Sequence, residues 1–135
     1  MLNATPEITW LTYTILMTAL FWVPYIINRI LEDGLWTALK NPNPDDQPKA
    51  GWAVRMMAAH ENAVENLVIF APLAVIVSTF GFSSNLTIMA TKLYFFARLA
   101  HYIIYSAGIP GLRTLTFAAG FAAQLILALT ILGVI

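Results

Sequence analysis

Hydrophobic and polar positions alternate along this chain on the scale of whole helices. Ile8 to Leu31 is apolar for about 24 residues, enough for a helix to cross a hydrocarbon core of roughly 30 Å. Pro24 is the expected kink in it. Residues 32–52 break the pattern with Glu32-Asp33-Gly34 and the run Asn41-Pro-Asn-Pro-Asp-Asp-Gln-Pro48, which reads as an extended polar loop. Trp36 and Leu39 place part of that loop on the membrane surface. A second helix is expected over about 53–80, polar in its first half and apolar in its second. Gly81 to Asn85 is a turn. A third helix follows over about 86–107, then the turn Gly108-Ile-Pro-Gly111, then an almost wholly apolar helix over about 112–135. The expected fold is all-α and integral to the membrane: one domain over residues 1–135, with four transmembrane helices in an antiparallel bundle.

Composition agrees. The chain is 59% hydrophobic and 10% charged, where a soluble domain carries about 25% charged residues. Net charge is zero with no basic block, which argues against a nucleic-acid partner. There are no cysteines, so disulfides, thiolate catalysis and cysteine metal sites are excluded. The first apolar segment is too long for a signal-peptide core and is expected to remain as a membrane helix. Arg29, Lys40, Lys49 and Arg55 flank the first loop and Arg113 the third. The positive-inside rule therefore puts those loops in the cytoplasm and both termini outside. Short loops and no targeting segment point to a bacterial inner membrane. Two short sequons, Asn3-Ala-Thr5 and Asn85-Leu-Thr87, fall on the outer side.

The chemistry is concentrated where helix two begins. Arg55 to Asn66 holds an arginine, a histidine, two glutamates and two asparagines, and runs directly into Leu67-Val-Ile-Phe70. Arg55, Ala59, Asn62 and Asn66 share one face, with Glu65 beside it. On helix three, Tyr94, Arg98, His101 and Tyr105 form a second stripe, with Tyr102 adjacent. A rise of about 1.5 Å per residue brings Arg98 level with Glu61, Asn62 and Glu65. A pair between Arg98 and Glu65 or Glu61 is the expected neutralisation, since an unpaired charge at mid-bilayer costs about 2.5–3.5 kcal/mol. The residues leave two readings open: a structural clasp between helices, or a polar ligand site in one leaflet. A zinc-protease pattern fails, because no second histidine follows His60-Glu61 one turn on. A metal held by His60, His101 and Glu65 is disfavoured, and no metal is expected. The apolar run Leu67 to Val77 favours a half-deep pocket over a channel.

Ala59-His60-Glu61-Asn62-Ala63-Val64-Glu65-Asn66, followed by Phe70, resembles the helix-two signature of the MAPEG family, the membrane-associated proteins in eicosanoid and glutathione metabolism. Ala97-Arg98, His101, Tyr105, then Ile-Pro and Arg113, resemble its second signature, with the spacing from Tyr105 to Arg113 about one residue shorter. The two motifs stand in the family's order, and the resemblance covers essentially the whole chain. It implies a homotrimer with sites between subunits, using glutathione as co-substrate against lipophilic electrophiles or lipid hydroperoxides. Carried over by motif, Arg55, Asn62 and Glu65 would hold glutathione from helix two. Arg98 and Tyr105 would do so from helix three, with His60 as a supporting donor and Arg29 closing the site from helix one. Arg113 would be the catalytic residue that stabilises the thiolate. Two positions depart from the family. Ala58 stands where many members have an arginine, with Arg55 the nearest cation one turn earlier. Glu61 stands where an apolar residue is usual. The alternative implied by the clasp reading is a non-catalytic scaffold or lipid-binding protein on the same fold.

Overall fold

The computed structural model describes residues 3–135, and among these the regular structure is entirely helical. In chain order the helices are α1 (Pro6–Leu20), α2 (Val23–Asp33), α3 (Leu35–Leu39), α4 (Gly51–Thr79), α5 (Asn85–Ala107) and α6 (Pro110–Ile131). Local chemistry sets these limits. The Thr5 side chain caps α1 and Pro6 opens it, a position where a missing N–H costs nothing. Ser84 and Thr87 form a reciprocal capping box on α5. Gly108 closes α5 in the left-handed region at φ +81°, and Pro110 starts α6 two residues later.

Three departures from the sequence reading have physical causes. The first apolar stretch is two helices, broken at Phe21–Trp22, because Pro24 cannot continue the hydrogen-bond ladder. The Phe21 carbonyl at the break accepts from the Tyr102 hydroxyl at 2.8 Å, and the two rings stack with centroids 3.7 Å apart. The polar loop contains the short α3, which is exposed and carries Trp36 and Leu39. The last helix ends at Ile131, not at the terminus.

Among the described residues, Pro6–Asp33, Gly51–Thr79 and Pro110–Ile131 are long and apolar enough to cross a membrane. The fourth expected span, α5, is 23 residues long, but it is not one of these candidate spans. Lys92, Arg98, His101 and its tyrosines lower its apolarity. It packs against α1, α4 and α6, and its polar stripe is turned inward: Tyr94, Arg98, His101 and Tyr102 are all buried. Polar side chains held between helices avoid the cost of facing lipid.

The core has two parts. One gathers Leu11, Phe70, Val77, Tyr94 and Leu127 around a Phe70–Tyr94 stack with centroids 3.7 Å apart. The other gathers Phe21, Ala59, Ala63 and Tyr102. Each aromatic stack adds about 0.5–1.5 kcal/mol beyond its buried area. Small residues at the contacts, Ala59, Ala63, Ala90, Ala97 and Ala123, let the helices approach closely.

Glu7 anchors the end of the bundle where α1 and α5 both begin. It is 0% exposed, and one carboxylate oxygen accepts from the Ser83 hydroxyl at 2.8 Å and the Thr87 hydroxyl at 2.6 Å. It also sits in the first turn of α1, where the helix dipole favours a negative charge. Thr5 adds a hydroxyl contact to Ser78 at 2.7 Å. The hydroxyls of both sequons, Thr5 and Thr87, are therefore engaged in caps and interhelical bonds.

Candidate functional site

The polar residues of α4 divide between two faces. Asn62 points to α5, where its side-chain oxygen accepts from the Arg98 guanidinium at 2.6 Å. Arg98 is 2% exposed, so this charge-assisted bond is made in a dry setting where it is strong. Asn66 donates back to the Asn62 carbonyl at 2.9 Å, and Gln124 of α6 donates to the Asn66 carbonyl at 3.2 Å. Gly120 of α6 is buried beside this group, close to the Arg98 side chain.

Beside this network lies an open cleft of about 300 Å3 lined by Asn62, His101, Tyr105, Arg113, Thr114 and Phe117. The Arg113 guanidinium rests over the Tyr105 ring, 4.7 Å from its centroid. That contact holds an exposed arginine in one place while leaving its N–H donors free for an anion. His101 is 2% exposed and its Nδ1 has no protein partner. From the sequence His101 belongs to the α5 stripe and is weighed only as a disfavoured metal ligand, not as a residue of the ligand site. The signal that could have found it was its place between Arg98 and Tyr105, one turn from each on the same stripe.

The other face of α4 looks outward. His60, Glu61 and Glu65 line a broad cleft of about 650 Å3 with Tyr25, Gln47, Val54, Met57, Ala58 and Val64. The His60 ring is held by the Tyr25 hydroxyl at 2.8 Å from Nδ1 and by an edge contact with Phe21. Glu61 and Glu65 are exposed on the single chain. The expected pairing of Arg98 with Glu65 or Glu61 is replaced by the Arg98–Asn62 bond. The reason is helical phase: residues three apart are offset by about 60°, so Glu65 is turned away from the side that meets α5.

Two expected residues lie elsewhere. Arg55 Nε donates to the Ser106 carbonyl at 3.0 Å, and its guanidinium lies against Gly108, where a β-carbon would come within 3.2 Å. It thus caps the C-terminus of α5, a position that favours a cation. It does not line the Ala58 cleft. Arg29 lines a small cavity of about 60 Å3 with Tyr25, Glu32, Asp46 and Gln47, next to the outward cleft, with which it shares Tyr25, Gln47 and Met57. The expected residues therefore form two groups: Asn62, Arg98, Tyr105 and Arg113 on one side, and His60, Glu65 and, adjoining, Arg29 on the other.

Long apolar helices whose polar residues collect between and beside them define an integral membrane protein. The chain belongs to the MAPEG family, whose family model matches residues 8–133. Neither a curated protein nor a solved structure matches it significantly.

Proposed function

We propose that this protein is a membrane-bound, glutathione-dependent transferase or peroxidase acting on lipophilic electrophiles or lipid hydroperoxides. One observation supports the reading: Arg113 and the carboxylates Glu61 and Glu65 line separate clefts on two different faces of α4. Glutathione has two carboxylates and one ammonium at neutral pH, and asks for fixed cations and an anion together. The α5–α6 cleft offers Arg113, Tyr105 and Asn62 without a carboxylate. The outward cleft offers Glu61, Glu65 and His60. In a homotrimer the outward cleft of one copy meets the α5–α6 cleft of the next, and the two sets become the walls of one site. In this arrangement α5 crosses the membrane as the fourth span of an antiparallel bundle, with the α2–α4 loop in the cytoplasm of a bacterial cell.

Within that site the roles follow from chemistry. Glu65 receives the ammonium. Arg113 sits beside the sulfur and favours the thiolate over the thiol, whose ordinary pKa is about 8.5. The thiolate attacks an electrophilic carbon and expels its leaving group. On a hydroperoxide it attacks the terminal oxygen, breaking the O–O bond to release the alcohol and leave a sulfenic acid, from which a second glutathione thiol displaces water to close the disulfide. Arg98 holds Asn62 in position, and Arg29 and His60 support the outward wall. An opening towards lipid suits substrates that dissolve there.

Titration calorimetry of detergent-solubilised protein with glutathione tests the reading. Saturable binding below a few millimolar is expected, weakened by Glu65→Gln. No binding at millimolar glutathione, with the assembly intact, would sink it. The scaffold alternative has one observation in its favour, the burial of Arg98 in an interhelical bond. It gives no role to Arg113, which is held on the Tyr105 ring at the open cleft. It predicts that Arg113→Ala changes nothing measurable.

A further inference from the structure

A second feature lies at the opposite end of the bundle from the polar clefts, where α1 and α5 begin. These two helices run parallel there, as the Glu7–Thr87 bond shows. Between them is a shallow groove of about 410 Å3 lined by Tyr13, Leu16, Met17, Leu20, Phe21, Phe95 and Leu99. At its head, the Lys92 ammonium lies over the Trp10 ring, 5.9 Å from the centroid. Trp10 in turn contacts Tyr13 and Phe95, each with centroids 5.4 Å away. Charge and groove are therefore one continuous surface.

Lys92 is exposed and lies seven residues inside the start of α5, about 10 Å down the helix by rise. Tyr13 lies at a similar depth on α1, seven residues from its first turn, and its ring is half exposed. Six of the seven acids are far from this end or deep in the polar clefts. The seventh, Glu7, is buried and bonded to Ser83 and Thr87. An ammonium at this depth thus has no acidic side chain of its own chain to meet, and the membrane can supply its counter-charge. Below it, the groove descends from Tyr13 to Phe21, about 12 Å of helix, which is close to half of a hydrocarbon core of roughly 30 Å.

We propose that this groove is a binding site for an anionic phospholipid of that leaflet. The phosphate sits on Lys92 and one acyl chain lies along Tyr13, Met17, Leu20, Phe95 and Leu99. The site is independent of the glutathione reading.

The test uses Trp10 as the reporter, in full-length protein with the exposed Trp22, Trp36 and Trp52 changed to phenylalanine. The protein is reconstituted in phosphatidylcholine vesicles containing increasing fractions of chain-brominated phosphatidylglycerol or chain-brominated phosphatidylcholine. Quenching should report about a fivefold preference for phosphatidylglycerol, the scale of one lysine's attraction to anionic lipid. Lys92→Gln should abolish the preference and Lys92→Arg should keep it. Leu99→Phe, which fills the groove, should reduce quenching by both lipids. Equal constants for the two lipids, or a preference that survives Lys92→Gln, would overturn the proposal. So would the absence of quenching by either lipid, the outcome if a second copy of the chain covers the groove.

Discussion

The two faces of α4 carry similar side chains and treat them differently. On the Asn62–Asn66 face the asparagines are tied into the bundle: Arg98 donates to Asn62, Asn66 donates to the Asn62 carbonyl, and Gln124 donates to the Asn66 carbonyl. On the His60–Glu65 face only His60 is bound, by Tyr25, and the two glutamates look outward from the chain. One face completes the fold. The other is left incomplete by it, at a depth where exposed carboxylates are costly unless something else meets them. The difference teaches that polar density in a membrane helix marks function only where the chain itself leaves the groups unmatched.

That comparison can be sharpened by substitution. The largest effect is expected at the closed face. Asn62→Leu leaves Arg98 buried without its acceptor and should lower stability by about 3 kcal/mol, read by reversible unfolding in mixed micelles. Glu65→Leu, one turn along the same helix, should stay within about 0.5 kcal/mol in that assay. A large cost at Glu65 would mean that the outward face is structural after all. Next comes Arg113→Ala. Turnover of glutathione with an aryl halide should fall about 100-fold, on the scale of losing one preorganised charge donor, while the melting temperature is unchanged because Arg113 is exposed. A smaller effect belongs to Glu65→Gln, where glutathione affinity should fall about tenfold, as for one charge-assisted bond. The smallest is Tyr25→Phe, which removes the hydroxyl from His60 and should cost about 1 kcal/mol. A Tyr25→Phe protein with unaltered stability would show that His60 is not positioned by this contact.

Much of this was legible in the sequence, for reasons that individual residues make clear. The α5 stripe Tyr94, Arg98, His101 and Tyr105 follows from spacings of three and four. The level match between Arg98 and Asn62 follows from helical rise. What failed was rotation about the axis. Glu65 is the stronger charge partner on paper, but about 60° of helical phase gives Arg98 to Asn62 instead. The family resemblance gives Arg55 a ligand role, and in the fold its guanidinium also meets the end of α5. Its role as a cap depends on where α5 ends, which spacing within α4 cannot reveal. Glu7 stands just before the apolar run that begins at Ile8, with no local sign that it is buried. Its burial depends on α1 and α5 running parallel from a common end, a tertiary fact that no local pattern carries. Pro24 was legible as a kink, and the break beside it is completed by Tyr102, a residue far along the chain.

The central claim is that the two faces of α4 form one site only when two copies of the chain meet. It is tested most directly by mixing chains. Arg113→Ala protein, impaired on the α5–α6 side, is coexpressed with Glu65→Ala protein, impaired on the outward side, under different affinity tags. Mixed trimers are then isolated through both tags. At subsaturating glutathione each homogeneous mutant should keep about a tenth of the conjugation activity or less. Every mixed trimer, whichever chain is in excess, contains one junction where an intact outward face meets an intact α5–α6 cleft. The account predicts recovery of about one third of the unsubstituted activity per trimer, one site in three. Mixed trimers as inactive as the two parents would contradict it, because the site would then be built within a single chain.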